Sequence, residues 1–309
     1  MQPEHARHER WLARHLPSRA HTPGGVATLE EPVGHGLNNL FILRLQNLEY
    51  LGRKLLDEQG QLGSRLTPAM LLGPLLRTRQ CGNRLQMHYR TLSTDEKHQV
   101  FAQARRSNDT SIHFPFPVVD EQGQELVAPA SFWNDTPQLA RRLDAQERHF
   151  REHCLATLQK RLAPGAVIHD PACSTGTFIA TLAQGLPDAQ CLGSDVSPAM
   201  IAHARTHQRL PNLKFDIADA TDSAAADSCD VLILRFLNAE VMLRQQATRL
   251  FQALSRRVRR AGVIIVFGHT PVLVAIEPEA KRLGLKVTGT IAACPDTQAL
   301  FQFFILERD

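Results

Sequence analysis

Asp170-Pro171-Ala172-Cys173-Ser174-Thr175-Gly176-Thr177-Phe178 is the stretch that decides how this chain folds. A short apolar run, Ala166-Val167-Ile168, leads into it, and a helical pattern, Ile179-Ala180-Thr181-Leu182-Ala183, leaves it. The reading is a strand, a tight turn of small residues, and a helix. Small residues let backbone come close to a ligand, and the helix N-terminus offers unpaired N–H groups. An acid at the strand tip can hold a polar, cationic part of that ligand. Such a turn suits a nucleotide-like cofactor at the carboxyl edge of a parallel sheet, although small-residue turns between strands and helices are common.

The residues that follow narrow the reading. Gln190-Cys191-Leu192-Gly193-Ser194-Asp195-Val196 reads as a second strand ending in an acid. Asp195 lies about 25 residues after Asp170, close to the ~20 expected between a glycine-rich turn and a ribose-binding acid. Ser197 is a natural N-cap and Pro198 suits the first helical position. A third short strand, Leu213 to Ile217, is followed by Ala218-Asp219-Ala220. Cys229 to Leu234 reads as a buried strand by its apolar run, Ala239 to Val258 as a long amphipathic helix, and Gly262 to Phe267 as another strand. Val272 to Leu283 is helical with Gly284 at its stop, and Leu285 to Ile291 and Leu300 to Leu306 close as an antiparallel pair. Strands alternating with helices imply right-handed crossovers and an α/β fold with a doubly wound parallel sheet.

From about Ala166 onward the chain resembles the class I S-adenosylmethionine-dependent methyltransferases, a Rossmann-like family. The family's first turn has an acid followed by alternating glycines. Asp170 and Gly176 match it, while Ala172 and Ser174 stand where two glycines would. The Gly-x-Asp-x-Ser-x-x-Met-Ile block from Gly193 to Ile201 fits closely. The resemblance implies a seven-stranded sheet whose last strand is inserted antiparallel, and S-adenosyl-L-methionine as cofactor. It also implies a cofactor-binding set of Asp170, Ala172, Cys173, Ser174, Gly176, Asp195, Val196, Met200, Asp219, Ala220 and Arg235. Asp195 would bind the ribose hydroxyls, Asp219 the adenine amino group, the Ala220 N–H would face the ring, and Asp170 would help fix the methionine ammonium. Met200 is an apolar contact to adenine or a core methionine. A nicotinamide or flavin enzyme would carry a Gly-x-Gly-x-x-Gly turn, which is missing.

The 309 residues hold one large or two modest domains, with a composition ordinary for a folded chain. Six cysteines stand singly, so neither disulfides nor a structural zinc are signalled, and no metal is expected. No apolar stretch is long enough to span a bilayer and no signal core opens the chain, so the expectation is a cytoplasmic protein without a membrane. The net charge of +4 is small and unclustered, so nothing indicates nucleic acid. Residues 1–34 read as a loosely packed terminus, 35–160 as a mainly helical cap, and 161–309 as the cofactor domain. Within the cap, Asn38 to Glu58, the segment opened by Thr67-Pro68, the one begun at Thr94-Asp95-Glu96-Lys97, and the long segment opened by Thr136-Pro137 all read as helices. Val118 to Val127 reads as a hairpin. The cap is expected to form the substrate pocket or a homodimer contact.

The acceptor is read from the residues after the fourth strand. The Asp-Pro-Ala-Cys turn is similar to one in adenine-N6 DNA methyltransferases. Those enzymes need an Asn/Asp-Pro-Pro-Tyr/Phe block where this chain has Leu234-Arg235-Phe236-Leu237-Asn238, so the base-modifying reading is set aside. Arg235 is a candidate for holding a carboxylate or phosphate, or for a salt bridge. Asn238 and Glu240 could orient an amine or hydroxyl, or cap a helix. His269, in Gly268-His269-Thr270-Pro271, is a candidate general base, metal ligand or loop histidine. His169 reads as packed in the first strand, and His113 and Tyr89 as pocket-lining residues of the cap. With Arg235, Asn238 and His269 as the catalytic set, the expected activity is methyl transfer to a small polar metabolite, such as an amino acid or oxo acid, in specialised metabolism. The alternatives are a nucleic-acid or protein methyltransferase, and a non-catalytic binding module.

Overall fold

The structure is a computed structural model that describes residues 23–33, 39–55, 63–116, 119–120, 122–129, 137–221, 226–294 and 297–309, with the side chains of 137–144 left aside. Most of the expected loose terminus lies outside these residues, as do Asn38, residues 56–58, Val118 and Thr136. The chain divides into two compact units, residues 1–128 with Thr290–Gln302, and Pro129–Gly289 with Phe303–Asp309. Among the described residues no helix is long and apolar enough to cross a membrane.

The first unit is built on a sheet, which corrects the expectation of a mainly helical cap. Strands β1 (Val26–Pro32), β2 (Leu40–Leu45), β3 (Leu48–Arg53), β4 (Leu71–Cys81), β5 (Arg84–Arg90) and β6 (Thr110–His113) form one antiparallel sheet in the order β1-β5-β4-β3-β2-β6. Within the span Asn38 to Glu58, where a helix was expected, residues Leu40–Arg53 form the β2–β3 hairpin. Leu45 pairs with Leu48 across a two-residue turn, and Gln46 takes a φ of 55° there. β2 is buried on both faces, so its apolar residues run on without alternation, and such a run has no strand period to read. Phe41, Leu43 and Leu45 enter one core while Leu40 and Ile42 enter the other. Thr67-Pro68 opens only a single 3-10 turn, Pro68–Met70. The helix expected at Thr94 is present as α1 (Thr94–Ala104). Ser93 and Glu96 cap each other's backbone N–H groups at 3.2 and 2.7 Å. Val119 bridges Glu125 where a hairpin was expected.

The second unit follows the expected alternation. Helix α2 (Pro137–Leu158) precedes β7 (Val167–Asp170), α3 (Thr177–Gly185), β8 (Gln190–Asp195), α4 (Pro198–His207), β9 (Leu213–Ile217) and β10 (Cys229–Leu234). Then come α5 (Arg244–Leu254), β11 (Val258–Val266), α6 (Ile276–Leu283), β12 (Leu285–Ala293) and β13 (Leu300–Arg308). The seven strands lie in the order β12-β13-β11-β10-β7-β8-β9, with β13 antiparallel to β11 and the inner strands parallel. Ile168, Val231 to Leu234 and Ile264 to Val266 are fully buried, as strands covered on both faces must be. The long helix expected from Ala239 to Val258 is shorter at both ends. Asn238 bridges Val272 before it, and Val258 already pairs with Cys229 in β11 after it.

Candidate active site

Parallel strands bring their carboxyl ends to one edge, so residues far apart in sequence meet there. The turn after β7 is tied to β8 by Cys173 N–H donating to Ser194 O at 2.9 Å. It closes on itself through Gly176 N–H to Cys173 O at 3.0 Å. Gly176 starts α3 with a φ of 78°, a region that favours glycine. A Cβ there would lie 2.7 Å from the Phe215 ring and 2.9 Å from Ala204 Cβ. Gly176→Ala is therefore expected to cost about 2–5 kcal/mol from backbone strain and overpacking together, read as a lower denaturation midpoint.

Asp195, at the tip of β8, is half-buried. Its Oδ2 accepts from Ser174 N–H and its Oδ1 from Ser197 N–H, both at 2.9 Å. A carboxylate offers about four lone-pair sites, so two remain for a ligand's hydroxyls. Ser197 caps α4 by accepting from Met200 N–H at 3.4 Å, and Pro198 takes the first turn, as the sequence indicates. Met200 is buried, and its sulfur accepts the Ser174 hydroxyl at 3.7 Å. Val196, just past β8, and Ile217, the last residue of β9, carry apolar side chains 66% and 54% exposed. Asp219 stands exposed just beyond β9. Its Oδ1 accepts from Thr221 N–H and hydroxyl, both at 2.8 Å, which holds the carboxyl below the usual range. Ala220 O accepts from Arg257 at 3.1 Å.

Asp170 is fully buried beneath the turn. Its Oδ1 accepts from Ala172 N–H at 3.3 Å and its Oδ2 from Arg235 Nε at 3.0 Å. Arg235, just past β10, also donates from Nη1 to Glu147 Oε1 at 2.6 Å and from Nη2 to Cys173 O at 2.7 Å. Its guanidinium lies over the Phe178 ring, 5.5 Å from the centroid. Burial pushes the Asp170 carboxyl up to about 6 against the pull of Arg235, and Glu147 pushes the same way. Burial opposes the Arg235 cation too, but Glu147 and Asp170 outweigh it and hold the guanidinium charged. With Asp170 ionised, two carboxylates face one cation and the cluster carries one surplus negative charge. Glu147 comes from α2, and no motif in the sequence marks it.

The loops after β10 and β11 are joined to each other. Ala239 N–H donates to Pro271 O and Leu273 N–H to Leu237 O, both at 2.9 Å. Asn238 Nδ2 donates to Thr270 Oγ1 at 3.2 Å, and Thr270 Oγ1 in turn donates to Ala239 O at 2.5 Å. Gly268 is required by this approach, since a Cβ there would fall 2.7 Å from Asn238 Cγ. Asn238 is 4% exposed, and among the described residues its Oδ1 has no hydrogen-bond partner. Half-buried His269 lies in the second of these loops, and Glu240, with a φ of 68°, in the first. His169 is packed as expected, 3.1 Å from Ser194 Oγ, and burial holds it down at about 4. Among the described residues no group of three metal-ligating side chains occurs. His113 and Tyr89 belong to the first unit, where His113 meets Ser111 Oγ at 2.6 Å and Tyr89 is buried.

Residues 168–262 match the family model described as a methyltransferase domain. Isonocardicin synthase of Nocardia uniformis subsp. tsuyamanensis is 32% identical over 281 residues, spanning 87% of this chain and 91% of that protein. The chain belongs to the class I S-adenosylmethionine-dependent methyltransferase family. Trans-aconitate 2-methyltransferase of Deinococcus radiodurans is 38% identical over 33% of this chain and 38% of its own length. Among solved structures, magnesium protoporphyrin IX methyltransferase from Synechocystis PCC 6803 with bound S-adenosylmethionine covers 57% of this chain and 86% of its own. It is 17% identical with a TM-score of 0.45. The cofactor of this methyltransferase-family chain is S-adenosylmethionine, and the chain is an S-adenosylmethionine-dependent transferase.

Proposed function

We propose that this enzyme transfers a group from S-adenosylmethionine to a small polar acceptor of specialised metabolism, such as an amino acid or oxo acid. The observation that carries the reading is the spread of three acids along the strand tips, with an apolar pair between two of them. Asp195 has acceptor sites left for ribose hydroxyls. Val196 and Ile217 offer exposed apolar walls to a planar adenine, with Asp219 and the Ala220 N–H beyond. The turn from Ala172 to Gly176 takes the methionine end, where the surplus negative charge of Asp170, Arg235 and Glu147 suits a cation. When bound, S-adenosylmethionine supplies an electrophilic carbon on its sulfonium. Asn238 Oδ1, a buried acceptor, orients an N–H or O–H of the acceptor molecule, and His269 takes a proton where the receiving atom carries one.

The small-acceptor reading draws on the names of the relatives, one for isonocardicin and the others for trans-aconitate. A second reading concerns the group that leaves. The relative matched over 91% of its length is named a synthase and not a methyltransferase, and a sulfonium sulfur carries more than one carbon that can be attacked. The enzyme is to be incubated with cofactor and a panel of small acids and amino acids, with the by-product identified by mass spectrometry. S-adenosylhomocysteine supports methyl transfer, and methylthioadenosine supports transfer of the aminocarboxypropyl chain instead. Turnover confined to protein or nucleic acid sinks the small-acceptor reading.

Titration of Asp170 gives a pH prediction of definite sign. Arg235 contacts it, Glu147 lies on the other side of Arg235, and burial raises the nearby Cys154 and Cys173 thiols, so both stay protonated. Below about 6 the cluster is neutral, and above it the cluster carries one negative charge. Calorimetry should therefore show affinity for the cationic cofactor rising several-fold as the pH passes upward through about 6. Stability runs the other way. The folded-state value lies above the unfolded one, so Asp170's contribution is fully present below the unfolded value and is lost as pH rises through about 6.

A further inference from the structure

Ser174 has a φ of 53°, a left-handed conformation that side-chain-bearing residues avoid and glycine adopts freely. It is held there by its surroundings. The peptide group between Cys173 and Ser174 is gripped on both of its polar atoms. Its N–H donates to Asp195 Oδ2 at 2.9 Å, and its carbonyl accepts from Arg235 Nη2 at 2.7 Å as well as from Gly176 N–H. Arg235 is itself fixed by Asp170 on one side, Glu147 on another and the Phe178 ring beneath it, and its side chain is only 7% exposed. Three of its five N–H groups are spent on protein partners.

We propose that Arg235 is a positioning residue for the cofactor turn. Together with Asp195 it clamps the Cys173–Ser174 peptide plane and so imposes on Ser174 the backbone conformation that a glycine would take unaided. Glu147 is the outer anchor of this clamp. The inference rests on the reading of residues 170–176 as the cofactor turn, and it assigns Arg235 to the turn and away from the acceptor.

The test is a double-mutant cycle of Arg235→Lys and Ser174→Gly, with S-adenosylmethionine binding measured by calorimetry and folding by thermal melting. Lysine keeps the positive charge beside Asp170 and Glu147 but lacks the planar fork that reaches the Cys173 carbonyl as well. Arg235→Lys is expected to weaken cofactor binding about tenfold, equivalent to ~1.4 kcal/mol. In the Ser174→Gly background the same replacement should cost about threefold or less, because glycine needs no clamp. Equal losses in both backgrounds overturn the clamp. A wild-type protein that does not bind S-adenosylmethionine overturns the cofactor reading instead, and the clamp with it. If Arg235→Lys alone does not fold, restoration of a cooperative melt by adding Ser174→Gly supports the clamp, and failure to restore it overturns the clamp.

Discussion

Replacing Asp195 with alanine is expected to weaken S-adenosylmethionine binding by about a hundredfold or more, since charge-assisted hydrogen bonds contribute ~1.5–3 kcal/mol each. Two losses combine. On the proposed ribose assignment the ligand hydroxyls lose their acceptor, and the N–H groups of Ser174 and Ser197 lose the acceptor that holds them at 2.9 Å. The second loss matters because Ser174 then lacks one half of its support in a left-handed conformation, so the turn itself loosens. Calorimetry on a protein shown by its melt to be folded reads the effect. Asp195→Asn, which keeps one accepting oxygen, should fall between alanine and wild type. A loss under about threefold for the alanine variant would reject the ribose assignment.

Arg53→Met is expected to destabilise the first unit by about 3–5 kcal/mol, the cost of leaving a buried charge without its partner. Arg53 on β3 and Glu31 on β1 form an ion pair with side chains only 2% and 9% exposed. The two strands are not neighbours in the sheet, so the pair joins residues across the β1-β5-β4-β3 span. Removal of the guanidinium leaves buried Glu31, which pairs with Leu85 across β1 and β5, without its ion-pair partner. Replacing both partners, Arg53→Met with Glu31→Met, should restore most of the loss, because well-packed apolar residues need no counter-charge. Urea unfolding followed by circular dichroism compares the three proteins. A double variant no more stable than Arg53→Met would show that packing, and not the stranded charge, sets the cost.

The second unit was legible because its signals are local. Strands β7, β10 and β11 each carry a short apolar run, β7 and β8 end in an acid, and Ser197-Pro198 falls where α4 begins. The alternation of strands and helices indicated a parallel, doubly wound sheet, while the seven-strand count with the last strand antiparallel was implied by the family resemblance. The first unit was misread because β2 is buried on both faces. Leu40 to Leu43 show an unbroken apolar run, and helix and buried strand look alike in such a run. The turn at Gln46-Asn47, which separates the two strands, was the signal available to find the hairpin.

The sequence by itself determined where three acids fall: Asp170 and Asp195 close β7 and β8 and Asp219 follows β9, and parallel strands separated by helices place these carboxyl ends side by side. Only the tertiary structure decided what Arg235 does. Its role depends on Glu147, which is 88 residues away on a helix that precedes the sheet, and on the direction in which the Cys173 carbonyl points. Neither is encoded in a local pattern. A guanidinium has a fixed fork, and which acceptors fill it is settled only when packing brings Asp170, Glu147 and the turn backbone within reach of one side chain.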